Sequence, residues 1–204
     1  MKLYYTPGAC SLSPHIALLE AGLPYDLVKV DLRAKKLENG DDYLTVNPKG
    51  QVPALRLDSG ELITEGPVII QMIADKANDK NLAPARDSAE RYKLLEWLNF
   101  ITTELHKNFS PLFQPVIPDD VKTFFKDRLI AKFKYIDGHL AGHDYLLGKQ
   151  FTVADGYLFV MLAWADRLQL DLSGLSNLMA YKARIAARPK VKEAMTKEGL
   201  LKAA

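Results

Sequence analysis

Hydrophobic and polar positions change rhythm partway along this chain. Up to about residue 80, short apolar runs alternate with amphipathic stretches; beyond it, the apolar spacing is helical throughout. Residues 2–5 read as a strand broken by Pro7-Gly8, and a helix carrying Ile16, Leu18, Leu19 and Ala21 follows until Gly22-Leu23-Pro24 stops it. Ser11 and Ser13 both suit its N-cap, and Pro14 falls in the first turn, where a missing N–H costs nothing. Residues 25–30 alternate as a second strand, while 31–46 are polar and poorly periodic, a loop with a short helix. Residues 53–57 and 61–63 form a hairpin across Asp58-Ser59-Gly60. A helix then follows Glu65-Gly66-Pro67, with Ile69, Ile70, Met72, Ile73 and Ala77 as its apolar positions. This order predicts an α/β domain over residues 1–80, a small mixed four-stranded sheet with helices against it.

Residues 78–87 turn polar and serve as a linker, and 87–204 form an all-α domain. In a helix over 88–108, Leu94, Leu98, Ile101 and Leu105 make one core stripe, while Asn99, Thr103 and His106 share another face. That second face is either a solvated polar side or the wall of a cleft. A second long helix covers 119–140. Thr152 and Asp155 then make a capping box in its Asp form, opening a helix to about residue 169 that is apolar nearly all round and therefore central. Gly156 stands where a hydrophobic staple needs an apolar residue, which leaves Phe151 without that partner. Residues 176–188 make another helix, and Pro189 opens a short final one.

Composition narrows the class. A net charge of +2 offers no electrostatic case for nucleic acid or an anionic membrane. The longest apolar stretch, 157–165, is far short of the roughly 20 residues a bilayer needs. A single cysteine excludes an internal disulfide and suits a reducing, cytoplasmic location.

That cysteine, Cys10, sits at the mouth of the first helix, where the partial positive charge favours a thiolate; the plainer alternative is a small buried hydrophobe. Cys10-Ser11-Leu12-Ser13 has the spacing of a two-cysteine redox motif with Ser13 in place of the second thiol, so any thiol exchange needs an external partner. Gln51-Val52-Pro53 puts a proline just before a strand, where a cis bond would turn the Val52 backbone toward an extended ligand and a trans bond would merely open the strand. Thr64-Glu65-Gly66-Pro67 is a strand-to-helix corner whose N–H groups suit a carboxylate and whose Glu65 suits an ammonium, or else simply caps the helix. His15 reads as a surface or core-edge residue, and His15, His139 and His143 do not make a metal set with Cys10.

Five segments in order, P-G-A-C-S-L-S, N-P-K-G-Q-V-P-A-L, T-E-G-P-V-I-I, L-N-F-I-T-T-E-L-H-K and F-T-V-A-D-G-Y-L-F, resemble the bacterial beta class of the glutathione S-transferase family over nearly the whole chain. The resemblance implies a thioredoxin-like N-terminal domain, a helical C-terminal domain, a homodimer, and glutathione as cosubstrate at the domain cleft, with no metal. It puts Cys10 beside the glutathione sulfur, the Val52 backbone against the middle of the tripeptide, Glu65 and the Gly66 N–H at the γ-glutamyl end, and Lys35 near the glycyl carboxylate. Asn99, Thr103, His106 and Lys107 are the cleft residues from the helical domain, and Glu104 is the candidate for the neighbouring subunit's ligand. Many relatives carry serine at Gly66, so one hydroxyl contact to glutathione is missing here. The expected activity is attack of a glutathione thiolate on an aromatic or other hydrophobic electrophile, with Cys10, Ser11 and His106 as donors and Lys107 adding positive field; Tyr5 is an alternative donor. Pro7–Ala9, the 108–118 loop and Trp164 would shape the electrophile pocket. Two rivals remain open at this point: glutaredoxin-like reduction or peroxidase chemistry through a Cys10 mixed disulfide, and a non-catalytic ligand-binding protein.

Overall fold

The opening strand β1 (Lys2–Tyr5) becomes the middle of a mixed sheet in the order β3-β2-β1-β4-β5, seen in a computed structural model that describes residues 1–202. Helix α1 (Leu12–Ala21) carries the chain back so that β2 (Asp26–Asp31) runs parallel to β1. The hairpin β4 (Ala54–Arg56) and β5 (Leu62–Thr64) adds two antiparallel strands on the other side. The sheet has one strand more than the pattern predicts: the two-residue β3 (Lys36–Leu37) pairs with the end of β2, too short to show any periodicity. Tyr4, Val30, Tyr43, Val52 and Ala54 cluster together as core, with Ala9 packed against them.

By its contacts the chain divides into two compact units, one of Met1–Ala83 joined by the segment from Arg188 onward, the other Pro84–Ala187. In the first, α1 packs on α2 (Gly66–Lys76) and on α8 (Pro189–Lys197), so the last helix sits with the sheet and not with the helical segment that precedes it in sequence. Two links fasten it. Glu20 receives Arg188 through Nε at 2.7 Å and an Nη at 2.9 Å, a two-pronged match of guanidinium to carboxylate. His15, expected at the surface or core edge, is instead fully buried: Nδ1 lies 2.8 Å from Glu198 Oε1 and Nε2 lies 3.0 Å from the Tyr25 hydroxyl. A local pattern has no view of a partner 183 residues away.

In the second unit, α3 (Ala89–Phe100) is capped by Ser88, whose Oγ accepts the Arg91 N–H at 3.1 Å. The helix expected over 88–108 does not stay α. Over Ile101–His106 it widens into a π-helix, and the Lys107 N–H reaches the Thr102 carbonyl, five residues back. Only then does it resume as α4 (Lys107–Phe109). Buried Asn108 supports the wide turn by donating from Nδ2 to the Glu104 carbonyl at 2.8 Å. The stripe Leu94, Leu98, Ile101 and Leu105 is buried as its spacing implied.

Helix α5 (Asp119–His139) lies against α4, and α6 (Val153–Arg167) is buried along nearly its whole length. The α6 N-terminus rests on Asp155, whose fully buried carboxylate accepts the N–H of Thr152 at 2.7 Å, the Thr152 hydroxyl at 3.0 Å, the Leu146 N–H at 2.9 Å and the Tyr181 hydroxyl at 2.9 Å. Burial raises its pKa, against the pull of these four donors. Phe151 does have a partner, the ring of Tyr145, set T-shaped to it at 6.0 Å. Tyr181 belongs to α7 (Ser176–Ala186), which packs on both α5 and α6.

Candidate active-site residues

The turn from β1 into α1 is built to hold one sulfur. Ser11 is fully buried, and its Oγ accepts the Thr6 N–H and donates to the Thr6 carbonyl, both at 3.2 Å. Thr6 in turn donates from Oγ1 to the Val30 carbonyl at 2.7 Å. Gly8 takes a positive φ of 70°, open to glycine without strain, and gives its N–H to Glu198 Oε2 at 2.9 Å. Thus Glu198, from beyond α8, grips both this loop and His15. Cys10 follows, half-buried, with Sγ 3.2 Å from the Val52 carbonyl. The contact ties the Cys10 sulfur to the backbone of the segment that precedes β4. The Ser11 hydroxyl is likewise engaged with Thr6, which makes it a brace of the turn.

Val52 precedes Pro53 through a cis peptide bond. Its segment is held from behind: the Gln51 carbonyl accepts both the Tyr43 hydroxyl and Asn47 Nδ2 at 2.8 Å. Lys35, itself at φ 56°, spends its ammonium on the Gly50 carbonyl at 2.7 Å. Asn47 and Tyr43 were not singled out in the sequence; the motif N-P-K-G-Q-V-P contains Asn47 but gives no sign that it braces Gln51.

Glu65 ends β5 at φ 68° and is exposed, with Lys49 Nζ 2.6 Å from its Oε1 and 3.0 Å from Thr64 Oγ1. Lys49, like Tyr43 and Asn47, carries no mark of this role in the local sequence. The Glu65 carbonyl accepts the N–H groups of Val68 and Ile69, both at 3.0 Å, and Pro67 has none to offer. The Gly66 N–H is therefore the donor left for a ligand at the start of α2.

The second unit carries the other candidates. Asn99, Thr103 and Lys107 are exposed, and Thr103 Oγ1 donates back to the Asn99 carbonyl at 3.1 Å. Glu104 pairs with Lys132 at 2.8 Å, and this hydrogen bond holds its carboxyl below the usual range. His106 differs in kind. Its Nδ1 lies 2.6 Å from the Tyr157 hydroxyl, and its ring meets Tyr157 and Trp164 edge-on at 5.9 and 5.0 Å. Burial, aided by the charge of Lys107, lowers its pKa from 6.5 to about 4, so the imidazole is neutral near pH 7. The π-turn is what separates it from Asn99 and Thr103, with which an unbroken α-helix would align it; wide turns of this kind recur at functional sites. Trp164 also touches Phe109 at 5.7 Å and Phe113 at 5.1 Å, an aromatic wall beside His106.

The remaining histidines are structural. His139 Nε2 is 2.9 Å from the Leu146 carbonyl, and His143 Nδ1 is 2.7 Å from the His139 carbonyl. Tyr5 packs its buried ring toward His15 at 6.3 Å. Among the described residues no group of three or more His, Cys, Asp or Glu is arranged to hold a metal, and no helix is long and apolar enough to cross a membrane.

Comparison with known proteins agrees with this geometry. The profile of the glutathione S-transferase N-terminal domain matches residues 8–76, and that of the C-terminal domain matches residues 111–189. Glutathione S-transferase GstA of Escherichia coli is 50% identical over 98% of this chain and 100% of its own length. A ternary complex of BphK, a bacterial transferase of this family, superposes with a TM-score of 0.96 at 52% identity, covering 98% of this chain and all of that one. A sphingomonad glutathione S-transferase complexed with glutathione gives 0.95 at 48% identity over the same shares. The beta-class enzyme of Sphingomonas chungbukensis gives 0.95 at 49%, again over 98% and 100%.

Proposed function

This chain belongs to the glutathione S-transferase family, and from that we propose that it conjugates the thiolate of glutathione to aromatic or other hydrophobic electrophiles. One observation carries the reading most directly: the Cys10 sulfur at the head of α1 sits 3.2 Å from the Val52 carbonyl, on the backbone that would pair with a peptide-like ligand. The tripeptide's γ-glutamyl carboxylate would take the Gly66 N–H, and its ammonium would share Glu65 with Lys49. Lys35, already turned to the Gly50 carbonyl, would serve the glycyl end. Asn99 and Thr103 are assigned to glutathione, and neutral His106 to hydrogen-bonding its sulfur. Lys107 would add positive field, and the aromatic wall of Trp164, Phe109 and Phe113 would receive the electrophile.

A homodimer is part of this proposal. Tyr92 and Leu95 on α3, with Val121, Phe124 and Tyr135 on α5, are exposed apolar side chains of the kind a second copy would cover. Glu104 would then serve the neighbouring subunit's ligand. A detoxifying role in the cytoplasm follows from the proposed chemistry and the single cysteine.

Conjugation of 1-chloro-2,4-dinitrobenzene, followed against pH, tests the assignment. Cys10→Ala and His106→Ala are each expected to change the profile; if both left it untouched, the site would be wrong. The half-buried sulfur of Cys10 at the head of α1, not tied in a disulfide, supports a second reading, in which the Cys10 thiolate attacks oxidised glutathione to form a mixed disulfide and release one glutathione thiolate. Intact mass after exposure to oxidised glutathione separates the two: a stable adduct absent from Cys10→Ser, together with poor conjugation, would favour redox chemistry.

A further inference from the structure

His106 does not stand alone in its unit. Tyr157 and Trp164 lie seven residues apart, on one face of α6, and their rings flank the imidazole. Tyr157 is 2% exposed, so its hydroxyl is set in packed surroundings. A neutral imidazole has one nitrogen that donates and one that accepts, and whatever bonds to the first decides the role of the second.

We propose that Tyr157 is the positioning residue of His106: its O–H donates to Nδ1 across 2.6 Å, which leaves the proton on Nε2 and makes His106 a neutral hydrogen-bond donor toward the glutathione sulfur. The direction of this bond follows from acidity. A phenol, with a pKa of about 10, is a far stronger acid than a neutral imidazole N–H, so the short contact is O–H to nitrogen. The reverse arrangement would leave only a lone pair on Nε2, which cannot hydrogen-bond a thiolate.

Charge bears on the choice as well. A cationic imidazole could donate from either nitrogen, and no second residue would be needed to select one. Burial keeps His106 neutral at physiological pH, so the selection has to come from a neighbour, and Tyr157 is the polar group at Nδ1. The π-turn fixes the other end of the arrangement, because it sets the phase at which His106 leaves its helix, and Asn108 holds that turn open. The inference rests on the proposed role of His106 in conjugation, and its test is chosen to separate the two.

Two-bond nitrogen–proton NMR correlations of the imidazole in the whole protein read the tautomer without any turnover. The expected pattern is a protonated Nε2 and a bare Nδ1; a protonated Nδ1 overturns the proposal. In kinetics, Tyr157→Phe keeps the ring and removes only the hydroxyl. It should lower kcat/KM for glutathione about 2- to 12-fold, the worth of one hydrogen bond, and should add nothing in a His106→Ala background. An equal loss in both backgrounds would mean that Tyr157 does not act through His106, and the proposal would fall. If His106→Ala were as active as the parent enzyme, the conjugation role of His106 would be lost and with it the positioning role, whatever tautomer the spectra showed.

Discussion

Substituting Gly66 by serine should tighten glutathione binding, and the start of α2 shows by how much. Only the Gly66 N–H is open there, since the Val68 and Ile69 N–H groups already bond to the Glu65 carbonyl and Pro67 has none. A Cβ at Gly66 would have the Pro53 Cγ at 3.7 Å as its nearest neighbour, an ordinary van der Waals distance, and the residue needs no positive φ. Nothing in the backbone or the packing therefore resists a side chain. A serine hydroxyl beside the free N–H would offer the γ-glutamyl carboxylate a second donor. One added hydrogen bond contributes about 0.5–1.5 kcal/mol, which is roughly a 2- to 12-fold fall in Kd. Titration calorimetry of glutathione into the parent, Gly66→Ala and Gly66→Ser proteins isolates the hydroxyl, because alanine carries the same loss of backbone freedom without the donor. A serine variant binding no more tightly than the alanine variant would refute the assignment of this corner to the γ-glutamyl carboxylate.

Acid should weaken the fold partly through His106. Its pKa is about 4 in the folded protein against 6.5 in a free side chain, so between those values the unfolded chain binds more protons and stability falls as pH falls. The full effect is on the order of 3 kcal/mol, and urea midpoints at several pH values should show a shallower decline for His106→Asn; parallel declines would contradict it. Above pH 6 the same group stays neutral, so the conjugation profile there should report the thiol and not this imidazole. Glu198→Ala should remove the carboxylate that accepts the Gly8 N–H and meets His15 Nδ1, lowering stability by about 1–3 kcal/mol for a buried polar group that loses its match and raising KM for glutathione. Denaturation curves and KM values unchanged from the parent would show that the Cys10 loop does not depend on Glu198.

Much of this arrangement is legible locally. Leu94, Leu98, Ile101 and Leu105 are core because helical spacing aligns them, and Thr152 with Asp155 announces the start of α6 by chemistry confined to four residues. Cys10, Val52 and Gly66 stand out for a similar reason, each within two residues of a proline or glycine at the boundary of an element. Features that depend on distant partners or on small departures from regularity leave no local mark. His15 looks ordinary until Glu198 is found against it. The π-turn adds a single residue to a helix, which no apolar pattern registers, yet it detaches His106 from Asn99 and Thr103. Tyr157 reads as one more core aromatic on a helix that is apolar all round, and only the position of its hydroxyl sets it apart.

The return of α8 to the first unit also governs the order in which the protein can be completed on the ribosome. Pro84–Ala187 is one uninterrupted stretch and has all its internal partners as soon as it has left the exit tunnel. The sulfur-bearing loop emerges far earlier, but the acceptor for its Gly8 amide is encoded 190 residues later. Synthesis must therefore pass Glu198 before the loop around Cys10 can take up this contact, so the loop is made long before the carboxylate that holds it.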